Sequence, residues 1–478
     1  MKDLITRLSG GWFLKCLWAV FVFLLPLTSV PVIIRLVHSD VVAAPSALLL
    51  PFLLVLTAVP FILERRDFPS SAIPLILFVL VTLAVTAVSF FGHIPEYKGH
   101  DPLKSSLNAV LTLFIGFSFY LVSALNHNNK NMLRFTFRLI SISGAVVCLW
   151  TLTQAFFWYR YQRYPEWMKS IQFTLSAGSL YRQRFVGFTL EPSWLAHQLN
   201  LLYLPFWFAA AVTGYSAFPR RIRAITVERV LFAFGVIVLF LTLSRVGLAA
   251  FLITVSFFGL VFIRRLIGRL AGSFPPDKQK LFTFLASIGI LLLLAGIAYL
   301  ILRMLMKLDY RMAGLFNISI RGRSDPVFYI AEKLSLAARF VYWDGGISIF
   351  NEHPLAGVGL GHAGYYITDL LNAYAYRLVE VRDLIFHSNT LLNIKSLWIR
   401  ILAETGIAGF CFFTVWYLHS FLTSVRSLGR EDPQKCTAAW MGCFALLAFL
   451  LEGFSLDTFA LPYLWFSAGL AAGAEELK

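Results

Sequence analysis

Apolar runs of membrane-crossing length recur along almost the whole chain, near 12–34, 42–63, 72–91, 106–125, 135–158, 193–213, 229–243, 246–263, 281–303, 407–425, 436–453 and 458–474. A bilayer's hydrocarbon core takes about 17–25 consecutive apolar residues per helix. The chain therefore reads as all-α, a polytopic membrane protein of about twelve transmembrane helices. Composition agrees, since 58% of its 478 residues are hydrophobic, 14% are charged and the mean hydropathy is +0.73, values foreign to soluble domains. The first run holds Lys15 and two prolines and is followed by many more spans, which argues against a cleaved signal peptide.

One long segment interrupts the pattern. The reading divides the chain into helices 1–9 over 1–303, a large helical extracytoplasmic loop over 304–406 between spans nine and ten, and helices 10–12 over 407–478. Its orientation follows from charge, because short cytoplasmic loops accumulate Lys and Arg. Arg65 and Arg66, Lys130 and Arg134, Arg220 to Arg223, Arg264 to Lys280 and Arg426 to Lys435 all fall on one face if the N-terminus, with Lys2 and Arg7, is cytoplasmic. Both termini are then inside and the large loop is outside. The net charge of +16 is largely explained by this topology, so nucleic acid is not expected as a partner and the bilayer is. Within the loop, a helix is expected at 328–350 carrying Arg339. After a turn at His353 to Gly359 a second is expected at 366–386, whose apolar positions recur at three- and four-residue spacing, as on a packing face or a lid.

Several arginines stand where the inside rule does not put them: Arg160, Arg163, Arg182 and Arg184 before span six, Arg245 between spans seven and eight, and Arg339 in the large loop. Arg245 sits between two apolar runs with almost no loop. A guanidinium there is costly unless it snorkels or has a partner, and an anionic ligand is a good partner. The five cysteines lie in or beside the spans and form no disulfide framework. There is no Gly-rich phosphate loop of the Walker type, and His and Cys do not cluster at metal-ligand spacing, so no cofactor is expected and a metal-independent mechanism is the simpler hypothesis.

Arg184 with Gly187, Pro192 and Ala196, the pair Ser244 and Arg245, Arg339 with Pro354, Gly357 and Gly359, and Glu404, Gly406 and Gly409 before a span form an ordered set over 180–410. This set resembles the motifs of the extracytoplasmic glycosyltransferases that include the O-antigen ligases and O-antigen polymerases of bacterial envelopes. The resemblance implies a GT-C-like fold in the bacterial inner membrane with the active site on its outer, periplasmic face. It further implies a glycan donor carried on a polyprenyl diphosphate such as undecaprenyl diphosphate, and a chain-length regulator protein as a possible partner. An acceptor sugar hydroxyl would attack the anomeric carbon while the lipid diphosphate leaves, and arginines stabilise that leaving charge without a metal. On this reading Arg245, Arg339 and Arg184 bind the diphosphate and His387 is the general base, since an imidazole titrates near working pH. Glu191 is the rival base, a role that calls for desolvation of the carboxylate. Glu404 is read as a helix N-terminal charge.

His387 stands seventeen residues before Glu404, farther than the His-Asn of the ligases lies from their Glu-x-Gly. Glu191-Pro-Ser193, and the run from Ser396 to Arg400 leading into Glu404, look more like the polymerases. The favoured function is therefore polymerisation of lipid-linked repeat units. Ligation of the glycan to lipid A-core is the alternative. From another class, a flippase of lipid-linked glycans would place charges at the midplane between repeated halves, and the sequence displays neither repeats nor charges deep in its spans.

Overall fold

The computed structural model describes residues 11–37, 44–64, 68–126, 129–219, 225–271, 275–308, 329, 331–332 and 336–477. Among them every long element is a helix and no strand forms. In chain order these are α1 (Trp12–Leu24), α2 (Pro45–Leu63), α3 (Ala72–Ser89), α4 (Pro102–Leu125), α5 (Lys130–Tyr161), α6 (Pro192–Thr213) and α7 (Val227–Thr242). There follow α8 (Arg245–Ala271), α9 (Pro276–Leu308), α10 (Ala337–Glu352), α11 (Leu397–Arg426), α12 (Pro433–Glu452) and α13 (Pro462–Glu475). Each apolar run thus coincides with a helix, and 8 of the helices are long and apolar enough to cross a membrane. The protein is an all-α polytopic membrane protein.

Polar punctuation sets the helix starts. Asp101, Asn129, Thr226, Ser396 and Asp432 each accept, through the side chain, a backbone N–H of the first turn of α4, α5, α7, α11 and α12, so a donor that a helix start leaves unpaired is satisfied. Proline opens α2, α4, α6, α12 and α13, where its missing N–H costs nothing. α6 is the axis of the bundle, with 83% of its span buried; α12 packs on α6, α8, α11 and α13, and α13 lies along α4.

The connections sort to two ends. At one end Ala177 N donates to Ser29 O, Phe185 N to Leu241 O and Leu397 N to Gly453 O, and the loop residues 358–366 dock on α3, α4 and the turn that joins them. There Leu360 N donates to Thr86 Oγ1, Tyr366 OH donates to His93 O, and the buried ring of His362 lies 2.7 Å from Ser106 Oγ through Nε2. At the opposite end Lys130 pairs with Asp432 at 2.5 Å, Arg430 with Glu475 at 3.6 Å, and both Arg134 and Arg138 donate to Ala217 O. This is the partition that the alternation of basic loops requires.

Two expectations are corrected. The residues 366–386 are not one helix but short turns, Ala363–Tyr366, Ala373–Arg377, Val379–Arg382 and Asp383–His387. Asn372 and Leu378 are extended, and Asp344 of α10 accepts from both Asn372 Nδ2 and Tyr374 OH. Tertiary hydrogen bonds and the burial of Ile367, Ala375 and Val381 therefore win over the helical period, and the lid helix does not form. The second correction is that α11 begins at Leu397 rather than 407, which puts Arg400 and Glu404 inside a helix. Residues 309–328, with Arg321 to Ser324, lie outside the described residues.

α11 is broken at Gly406 (φ 61°, ψ −165°). A broken membrane helix leaves backbone groups that only protein can satisfy, and the turn Pro354–Gly359 satisfies them: Val358 N donates to Ala403 O at 3.0 Å, Gly359 N to Glu404 O at 2.9 Å, and Ile407 N to Pro354 O at 2.8 Å. The two motifs are thus each other's partner. A Cβ on Gly406 would lie 2.4 Å from Leu355 O, at a φ that side chains disfavour. Gly406→Ala is expected to lower stability by about 2 kcal/mol or more, read as the melting midpoint of the purified protein. Gly429→Ala, which would meet nothing within 4 Å, should leave the midpoint nearly unchanged.

Candidate functional site

Two turns at the end of the bundle where the loop docks gather the arginines. The first is the reversal between α7 and α8. Leu243 adopts a left-handed conformation (φ 48°, ψ 32°), which costs a non-glycine residue about 1 kcal/mol, and Ser244 N donates to Thr242 Oγ1. Arg184 Nε donates to Thr242 O at 3.4 Å, and Arg245, its Nη1 buried, opens α8. Gln183 and Lys395 are also left-handed, immediately before Arg184 and before the Ser396 cap of α11. Strain of this kind persists where surrounding structure holds it, often at functional sites.

The second turn follows α12. Ser455 O accepts from Arg339 Nη1 at 3.3 Å, Asp457 O from Arg400 Nη1, and Gly453 O from Leu397 N. Arg400 is also paired with Glu404 at 2.8 Å. Both side chains are largely buried there, so Glu404 is a buried ion-pair partner one helical turn along α11, not a charge at the helix start.

A buried polar network ties the two turns together. Glu452, 2% exposed, holds His197 Nδ1 at 2.9 Å through Oε2 and accepts from Asn200 Nδ2 at 2.6 Å through Oε1. Asn200 Nδ2 also donates to Gly247 O at 2.7 Å, one turn from Ser244. Ser455 N in turn donates to Glu452 O. Asn200 lies on a π-helical turn, Leu199–Tyr203, inside α6, a distortion that recurs at functional sites. A Cβ on Gly247 would come within 2.5 Å of Ala196 Cβ, so α6 and α8 meet closely here. The Glu452 carboxylate fixes the imidazole with Nδ1 toward it.

Arg184, Arg245 and Arg339 are therefore brought to two linked turns. Glu191 caps the start of α6, exposed to solvent, and accepts from Ser193 Oγ at 3.1 Å. It stands within electrostatic reach of Arg184, because both act on Tyr181: burial pushes the Tyr181 phenol up, the Glu191 carboxylate adds to the rise, and the Arg184 guanidinium opposes it. His387 makes its contacts within the loop. Its exposed ring is 3.3 Å from Asp383, and the carbonyls of Ser388 and Asn389 beside it take Lys98 Nζ and His100 Nε2. Its contacts are thus with its own turn and with the 98–100 turn, as follows from the absence of the lid helix among the described residues.

Residues 230–414 match the family model described as O-antigen ligase. Over that stretch the chain is similar to the O-antigen ligase family. No curated protein matches the chain. The matched stretch runs from α7 into α11 and so includes Arg245, Arg339, His387 and Glu404. Arg184, Glu191, His197 and Glu452 lie outside it. The protein is a multi-pass membrane protein whose similarity over 230–414 supports a function of the O-antigen ligase and polymerase type.

His197, Asn200, Arg400 and Glu452 are site residues that sequence reasoning passed over. The available signal was an ionisable side chain inside or at the end of an apolar run, which is a functional candidate by default. Glu452→Gln replaces one charged acceptor of two donors by a neutral amide. It is expected to lower stability by about 1–3 kcal/mol, measured as the thermal midpoint, and a midpoint equal to wild type would remove the network from this account.

Proposed function

We propose that the protein is an O-antigen or related polysaccharide polymerase of the bacterial inner membrane. It would transfer a glycan from a polyprenyl diphosphate to a sugar hydroxyl of a lipid-linked repeat unit on the periplasmic face. The gathering of Arg184, Arg245 and Arg339 on two turns joined through Glu452 is the observation that carries this reading. Planar, permanently charged guanidiniums suit a leaving diphosphate, and donors fixed before reaction stabilise developing charge without reorganising. The basic loops at the opposite end support the periplasmic orientation. Glu191-Pro-Ser193 and Ser396 to Arg400 favour polymerase. The similarity over 230–414 is equally compatible with the second reading, a ligase that delivers the glycan to lipid A-core.

Glu191 is proposed as the base in preference to His387, because it shares the neighbourhood of Arg184. An acceptor seated over its carboxylate supplies the desolvation that raises basicity.

The test incubates purified protein with a polyprenyl diphosphate-linked repeat unit alone, and separately with lipid A-core added. A ladder of polymer from the repeat unit alone is expected; product formed only with lipid A-core makes the protein a ligase. Arg245→Ala and Arg339→Ala should each lose roughly thirty- to a thousandfold in rate, equivalent to about 2–4 kcal/mol of transition-state stabilisation, and lysine should not restore it fully. Glu191→Gln should lose roughly 10²–10⁴ while His387→Ala keeps most of its activity, and the reverse order would return the base to His387.

A further inference from the structure

A cavity of about 680 Å³ opens at the end of the bundle opposite the arginine turns, between α1, α2, α4 and α5. It has no part in the site described above. Its wall is polar and basic: Lys15, Arg134 and Arg138 line it, with Glu64 as the one acidic side chain among the residues that line it. Arg134 and Arg138 stand one turn apart on α5, and each donates Nε to Ala217 O, at 3.3 and 2.7 Å. Their guanidinium planes are thereby held in place at the cavity edge before any ligand arrives. Asn126, also on the wall, is only 5% exposed, and no described residue accepts a hydrogen bond from its Nδ2. A buried amide donor without an acceptor is costly, and an oxygen-rich ligand in the cavity would satisfy it.

The lining also carries apolar surface from Leu14, Leu56 and Phe61. A free anion has no use for such surface, whereas an acyl chain does. Basic pockets between membrane helices at the cytoplasmic side are a recurrent way of holding anionic headgroups, and Lys130 and Arg430 lie at this same end. We propose that this cavity binds the phosphate headgroup of an anionic phospholipid, with Lys15, Arg134 and Arg138 on the phosphate and the Asn126 amide on a headgroup or ester oxygen.

The test uses the full chain in detergent, with retention of phosphatidylglycerol and of phosphatidylcholine measured by native mass spectrometry and the thermal midpoint followed in parallel. Wild type should retain phosphatidylglycerol saturably and in preference to phosphatidylcholine. Lys15→Gln, which alters an exposed side chain at the rim, should weaken that retention about fivefold, the factor expected for one basic residue at an anionic surface. Asn126→Leu should also weaken it without lowering the midpoint of the lipid-free protein, because it removes a donor that has no acceptor in the fold. Equal retention of the two lipids, or no change in either variant, would overturn the proposal. A fall in the lipid-free midpoint of Asn126→Leu would overturn it as well, by making the amide structural. If sodium phosphate alone stabilises the protein as strongly as phosphatidylglycerol, the cavity is a site for a soluble phosphate and the lipid assignment fails.

Discussion

A helix entering a membrane has nowhere to put unpaired backbone groups, and α11 interrupts its own ladder at Gly406. The interruption survives because the Pro354–Gly359 turn supplies the missing donors and acceptors and because glycine at 357 and 406 lets the two backbones come within touching distance. Much else hangs from that junction. The segment of α11 before the break carries Arg400 and Glu404, its first residues bond to Gly453, and α10 with Arg339 packs along it. The position of Arg339 over Ser455 is thus set by how the loop grips the broken helix.

The second constraint is electrostatic. Bringing several guanidiniums to one end of a bundle stores repulsion that an apolar surrounding would make severe. Glu404 answers part of it by pairing directly with Arg400, while Glu452 ties the two turns together through its partners His197 and Asn200. Both Glu452 oxygens are held by hydrogen bonds, and fixed positions are what a preorganised anion site needs.

Much of this was legible in the residues. Runs of apolar side chains coincided with helices, 8 of them of membrane-crossing length and composition among the described residues, because hydrophobic length is a property of the chain alone, and the odd arginines at 184, 245 and 339 pointed to the two turns that carry them. The start of α11 was misread because Ser396 to Thr405 mixes Arg400 and Glu404 with apolar residues; the ion pair that makes the two burial-compatible is a tertiary fact. The helix expected at 366–386 had the right period, but Asp344, from a different helix, captures Asn372 and Tyr374 and breaks it. Glu452 and His197 come from spans far apart in sequence, so their meeting could be read only from the fold. The same holds for the Pro354–Gly359 and Glu404–Gly409 motifs, which were visible separately without any sign that each exists for the other.

The most direct measurement of the central claim is an experimental structure of the protein with a polyprenyl diphosphate bound. The account predicts that the diphosphate lies between the 241–245 turn and the 452–457 turn, contacted by Arg184, Arg245 and Arg339, with Glu452 still holding His197 and Asn200 beneath it. A diphosphate bound instead beside His387 and the 98–100 turn, with those arginines unengaged, would contradict it.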